Sequence, residues 1–181
     1  MRITVLLGGT SAERDVSLVS GLRITEALRS KGHTVVPVDP ATGVISPETE
    51  RKLLAEGVKT RPPSMDELRA LSSGGGGGLS PTLGTLPAVK EAEVVFLALH
   101  GGQGEDGTVQ ALLDMAGVRY TGSGHLASAL AMDKDLSKKL FRAAGVGTAD
   151  WMMVTRGEPV PAADLVGVTL GYPGIVKPSK Q

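Results

Sequence analysis

Residues 2–39 read RITVLLGGTSAERDVSLVSGLRITEALRSKGHTVVPVD, and their two periodicities decide the fold class. Ile3 to Leu7 is a short apolar run that stops at Gly8-Gly9. A helical pattern follows from about Asp15, in which Leu18, Leu22, Ile24, Ala27 and Leu28 supply an apolar side and Lys31-Gly32 predicts the end. HTVVPVD is a second β-branched run. Strand, helix and strand in such quick succession form a βαβ unit, which predicts a parallel sheet in an α/β fold.

The pattern continues beyond this unit. PETERKLLAEG (47–57) and SMDELRAL (64–71) read as helices, and the five consecutive glycines of SSGGGGGLSP (72–81) as a flexible, exposed insertion within a domain. Glu93 to Leu99 is almost wholly apolar after its first two residues, which predicts a central strand covered on both faces. After HGGQGEDG (100–107), TVQALLDMAG reads as a helix ended by Gly117, and VRYTGSG connects it to HLASALAMDKDLSKKLFRAAG. That segment is helical in pattern, with Leu136, Leu140 and Ala144 on one side and Gly145 as the stop. WMMVT and GIVKPSKQ then read as strands around a helical PAADLV.

Composition removes several function classes. A chain of 181 residues suits one core, or one complete domain and part of a second. Lys plus Arg and Asp plus Glu number 19 each, and aromatics make up 3%, so neither a basic stripe nor a stacking platform points to nucleic acid. With no cysteine, disulfides, thiolate metal sites and a cysteine nucleophile are excluded, and the composition is compatible with a reducing cytosol. The three histidines lie far apart in sequence, against a His-rich zinc site. RITVLL is too short for a signal-peptide core, and no run approaches a membrane span, so the expectation is a cytoplasmic chain without a membrane partner.

Chemistry is expected where strands run into helices. In open α/β sheets ligands bind beyond the carboxyl ends of the strands, and both GGTSAERD and HGGQGEDG occupy that position. Neither is GxGxxG, and GxxxxGK[ST] is absent, so a dinucleotide site and a P-loop find no support. Glu13 can accept hydrogen bonds from a substrate ammonium, or serve only as an acid complementing the helix dipole. His100 ends its strand either as a substrate-facing imidazole or as a packed histidine; Glu105 and Asp106 can orient it, bind substrate or cap the next helix. Lys177, in an expected strand, calls for an anion such as phosphate, whereas Lys134 also reads as a solvated helix start.

Taken together, GGTSAERDVSLVSG (8–21), ALHGGQGEDGTVQALLDMAGVRYTGSG (98–124) and SALAMDKDLSKKLFRAAG (128–145) closely resemble the D-alanine:D-alanine ligase family of ATP-grasp enzymes. The segments are long, in the family's order and spread along the chain. The resemblance implies a Rossmann-like N-terminal domain over 1–131, followed by the truncated start of an ATP-grasp domain over 132–181. It implies an ATP-dependent ligase that joins two D-alanines into D-alanyl-D-alanine through an acyl-phosphate intermediate, for peptidoglycan synthesis, cell-wall biogenesis and cell shape. Glu13 would bind the ammonium of the first D-alanine, Val16 would line its methyl pocket, and His100 and Glu105 would sit beside it. Lys134 and Lys177 would contact ATP phosphates. Magnesium is implied as well, with its ligands beyond these residues, and homodimers are common in the family.

The family's pattern continues past VKPSK with a glycine- and serine-rich loop, adenine contacts and metal ligands. The expectation is therefore a fragment, inactive by itself, whose function belongs to the parent enzyme. Two alternatives stand beside this one. A D-alanine:D-lactate ligase shares the architecture, although SAERDVS favours the dipeptide enzyme, and a non-catalytic α/β binding module would keep only the N-terminal fold.

Overall fold

A computed structural model describes residues 1–73 and 79–180; the expected glycine insertion falls largely on 74–78, outside the described residues. The chain forms two compact units, Met1–Ala129 and Leu130–Gln181.

The first unit is built on a four-stranded sheet: β1 (Arg2–Leu6), β2 (Thr34–Asp39), β3 (Gly43–Val44) and β4 (Val94–Leu97), in the order β3-β2-β1-β4. β1 pairs in parallel with both β2 and β4, with Val5 opposite Pro37 on one side and Phe96 on the other. Ile3 to Leu6 are all buried, as a strand covered on both faces requires. Alternation then divides them. Ile3, Val5 and Leu7 pack with Leu18 and Leu22 of α1 (Arg14–Ser30) on one face, where Leu53 and Leu54 of α2 (Pro47–Glu56) also lie. Leu6 packs with Val38, Val89, Val95, Val109 and Leu113 on the other.

The helices complete this layering. α2 begins as its sequence suggests, with Ser46 as N-cap accepting from the Thr49 amide and Pro47 in the first turn. α3 (Met65–Ser73) follows, and then the short α4 (Pro87–Lys90), α5 (Thr108–Met115) and α6 (His125–Met132). In α1 the buried side keeps Leu18 and Leu22, with Ile24 and Leu28 partly buried, and adds Ser17, Val19, Gly21 and Thr25 to the expected set. Ala27 is exposed, while Thr25 is fully buried and donates its hydroxyl to the Gly21 carbonyl at 2.9 Å. A back-bonded threonine is thereby satisfied inside an apolar face.

β4 is not central in the sheet. It lies at the edge, where its outer side meets residues 119–121: a bridge joins Val95 and Tyr120, with the Val95 amide donating to the Arg119 carbonyl and the Val95 carbonyl accepting from the Thr121 amide. Its apolar character comes from helices on its faces rather than from strands on both sides. β3 was not foreseen either: two residues after a tight turn are too few to carry a periodicity, and they pair antiparallel to β2.

In the second unit, α7 (Lys134–Ala143) and α8 (Ala163–Leu170) are the helices that follow α6. The expected helical segment is broken at Asp133, whose extended backbone and side chain cap α7 by accepting from the Leu136 amide at 3.0 Å. Trp151 stacks beneath the guanidinium of Arg142 at 4.5 Å from the ring centroid and donates its indole N–H to Asp135 at 2.8 Å. WMMVT and GIVKPSK form no strands. Val176 is fully exposed, and the described residues offer these runs no ladder, apart from a bridge between Asp133 and Lys180. A strand without a paired neighbour leaves its backbone groups to water and has no reason to persist.

Two outcomes follow from this packing. Gly21 lies against Leu7, so that a Cβ there would stand 2.5 Å from the Leu7 Cβ. Gly21→Ala should gain about 1 kcal/mol in helix propensity yet lose about 1–3 kcal/mol to overpacking, and urea unfolding should show net destabilisation. A stabilised variant would mean that the helix and β1 are not in this contact. In the second unit, the Leu136 amide and then Lys180 hold the Asp133 carboxyl below the usual carboxylate range. Its contribution to α7 is present above the ordinary carboxylate pKa and is lost as pH falls through the lowered folded value. Far-UV circular dichroism should show that loss on acidification, and Asp133→Ala should remove this component of the pH dependence.

Candidate functional site

The order β3-β2-β1-β4 makes the carboxyl ends of β1 and β4 a switch point: the chain leaves β1 toward β2 and later returns to pair on β1's other side. Both glycine-rich loops leave the sheet there. Between them lies a cleft of about 180 Å3 lined by Gly8, Gly9, Thr10 and Ser11 from the first loop and by His100 to Gly104 from the second, with Pro40, Leu79 and Leu99.

Close backbone approach explains the glycines. Gly101 has φ +70°, and a Cβ there would lie 2.6 Å from Glu13 Oε2. The positive φ favours glycine here, and any side chain would also oblige the Glu13 carboxylate to move. Ser11 joins the two loops, donating to the His100 carbonyl at 2.5 Å and accepting from the Glu13 amide at 3.1 Å.

Beneath the cleft, polar side chains fasten the loops to the sheet. Ser17, fully buried on α1, accepts from the Gly8 amide at 2.8 Å and donates to the Ala98 carbonyl at 2.7 Å, so one hydroxyl links the ends of β1 and β4. Asp39, at the end of β2 and 0% exposed, accepts from the Gly9 and Ala41 amides at 3.0 and 2.9 Å, from the Thr42 hydroxyl at 2.8 Å and from Arg14 at 2.6 Å. A buried carboxylate is tolerable only with such a set of donors.

The structure brings Glu13, Val16, His100 and Glu105 to this end of the first unit. Glu13 is exposed, occupies the N-cap position of α1 and makes no capping hydrogen bond with its side chain. Val16, 43% exposed, follows on the first turn. His100 Nε2 lies 3.1 Å from the Ser20 hydroxyl, while its Nδ1 faces Glu105 at 4.0 Å, an ion-pair distance rather than a hydrogen bond. Asp106, not Glu105, does the capping: its Oδ1 accepts from the Thr108 amide at 2.9 Å at the start of α5.

Lys134 and Lys177 belong to the second unit. Lys134 is the first residue of α7, and its amide donates to the Ser179 carbonyl at 2.9 Å. Lys177 is exposed on a segment that is not a strand, so the desolvation argument made for it from sequence does not apply. Among the described residues no group of three or more His, Cys, Asp or Glu is arranged to hold a metal ion, and no helix is long and apolar enough to cross a membrane. Sequence reasoning missed Ser11, Ser17, Ser20 and Asp39. The available signal was the spacing of Ser17 and Ser20, one helical turn apart at the start of α1, next to a glycine turn.

Comparison with known proteins places this geometry in context. The family model described as "D-ala D-ala ligase N-terminus" matches residues 2–123. A D-alanine:D-alanine ligase of Geobacter sulfurreducens is 39% identical over 99% of the chain and 44% of its own length, and one of Pediococcus pentosaceus is 39% identical over 99% and 52%. The crystal structure of a D-alanine:D-alanine ligase from Bacillus anthracis complexed with ATP superimposes with a TM-score of 0.64 at 30% identity, covering 99% of this chain and 48% of that one. The chain thus spans about half the length of these relatives.

The polar fastening can be tested without a ligand. Ser17→Ala removes the acceptor of the buried Gly8 amide and the donor to Ala98, and should cost about 1–3 kcal/mol in urea unfolding. A loss below about 0.5 kcal/mol, the range of surface substitutions, would show that the two strand ends do not depend on this hydroxyl.

Proposed function

The chain belongs to the D-ala D-ala ligase N-terminus family, and on that premise we propose that the full-length protein is an ATP-dependent ligase that joins two D-alanines into D-alanyl-D-alanine for peptidoglycan precursors. The observation that carries this reading is the meeting of two glycine loops at a sheet switch point, with the exposed Glu13 carboxylate against Gly101 and His100 at the mouth. A small zwitterion needs an anion for its ammonium, a small apolar contact for its methyl and little room; Glu13, next to the cleft-lining Gly101, and Val16 on the same turn are the groups we assign to the first two.

In this reading Glu13 accepts the ammonium of the first D-alanine as a charge-assisted hydrogen bond. Val16, exposed on the same turn, contacts the methyl group. His100 and Glu105 border the substrate, and Ser20 holds the imidazole at its far nitrogen. The glycine backbones allow close approach, and holding the substrate in one orientation supplies much of the rate. ATP supplies the phosphoryl group that makes the first carboxylate an acyl phosphate, with release of ADP; the second amine then forms the peptide bond as inorganic phosphate leaves and the amine loses a proton. We assign Lys134 and Lys177 to its phosphates, residues 1–131 to a Rossmann-like domain and 132–181 to the opening of the ATP-grasp region. No cluster among the described residues fits magnesium, which we expect the full-length protein to require. A cytoplasmic homodimer is the form expected of the full-length protein.

The full-length protein should release ADP only when D-alanine and magnesium are both present; ATP binding without D-alanine-dependent ADP release would refute the reading. Glu13→Gln should raise KM for the first D-alanine by about 10–100-fold, the worth of a charge-assisted hydrogen bond. KM for ATP should change little. Equal losses at the two substrates would reduce Glu13 to an acid at the start of its helix.

A further inference from the structure

We infer that Arg14 and Asp39 are a positioning pair that holds the first substrate loop in its binding conformation by clamping both polar groups of the Gly9 residue. The clamp itself is read from geometry alone; its consequence for D-alanine rests on the ligase reading.

Gly8 and Gly9 have φ +81° and +76°. A glycine pair has many conformations open to it, so nothing intrinsic holds this turn in one of them. External hydrogen bonds do. The Gly9 amide donates to Asp39 Oδ1 at 3.0 Å, and the Gly9 carbonyl accepts from Arg14 Nη1 at 2.5 Å. Arg14 Nη2 reaches Asp39 Oδ2 at 2.6 Å, so one guanidinium bridges the carbonyl and the carboxylate that hold the same residue. The space is shaped to this arrangement, since a Cβ on Gly8 would stand 2.8 Å from the Asp39 carboxyl carbon.

Arg14 is also the residue after Glu13 and the first residue of α1. Anchoring its side chain to the end of β2 fixes where the helix starts, and therefore where the backbone presents Glu13. Glu13 has no capping hydrogen bond of its own to orient it. The planar fork of arginine is required for this double contact, whereas a lysine ammonium can neutralise Asp39 but does not reproduce two fixed N–H directions. Arg14→Lys therefore separates charge neutralisation from clamping. Ser46 provides the control, because it caps α2 and touches neither Asp39, Gly9 nor the start of α1.

The experiment compares full-length wild type, Arg14→Lys and Ser46→Ala. Arg14→Lys should raise KM for the first D-alanine about tenfold, with kcat within about threefold and KM for ATP within about twofold, the pattern of a lost positioning contact. Hydrogen exchange of the Gly9 amide should accelerate about tenfold in the same variant. Ser46→Ala should lower the melting temperature through the lost N-cap and leave KM and Gly9 exchange unchanged. Equal shifts in both KM values, equal behaviour of the two variants, or an Arg14→Lys chain that does not fold would each assign Arg14 to stability alone and overturn the proposal. If wild type shows no D-alanine-dependent ADP release, the ligase reading fails by itself, and the clamp is then judged on exchange: an unchanged Gly9 rate in Arg14→Lys overturns it.

Discussion

Everything at the cleft depends on β1 pairing in parallel on both of its edges. Because β2 and β4 run in its direction, the segments that leave β1 and β4 emerge at the same end of the sheet, and the reversal of strand order opens space between them. Had β4 paired antiparallel, HGGQGEDG would lie at the opposite end, over 90 residues and one sheet length away from GGTSAERD. The burial of Ile3 to Leu6 on both faces fits this inner place in the sheet, since a strand so buried has no face it can leave to water.

The β1–α1–β2 unit was legible because its elements are long enough to show their periods. The same holds for α2, α5 and the two glycine loops. What failed to show depends on neighbours. β3 is two residues long, and β4 is apolar because helices cover it, a fact that sequence presents as centrality. WMMVT and GIVKPSK have strand composition, but composition supplies no partner for their backbone groups. Thr25 and Ala27 exchange places at the buried side of α1 because a threonine bonded to its own helix buries as well as an alanine.

The candidate site was legible in a different way. Glu13, His100 and Glu105 were singled out by their place in glycine loops at strand ends, each with an ordinary structural explanation beside the chemical one, and only the long matching segments added Val16 and tied the four together. The residues that hold the loops in place were invisible. Ser17 and Asp39 work through hydrogen bonds to backbone groups of glycines and of residues tens of positions away, and such bonds leave no period and no motif.

These two sets of polar residues divide the work of the first unit according to burial. Ser17 and Asp39 are fully buried, and each hydrogen-bonds to a loop glycine amide and to a further protein group. Glu13, His100 and Glu105 are at least partly exposed, and their side chains keep hydrogen-bonding capacity in hand. A group that must exchange water for a ligand can be neither fully buried nor fully satisfied, for then binding would break more than it makes. Conversely, a glycine loop has too little stiffness of its own to keep such a group aimed. The buried set thereby leaves the exposed set open, and Glu13 is held through its backbone, whose amide donates to the Ser11 hydroxyl and whose carbonyl accepts from the Ser17 amide, while its side chain makes no cap.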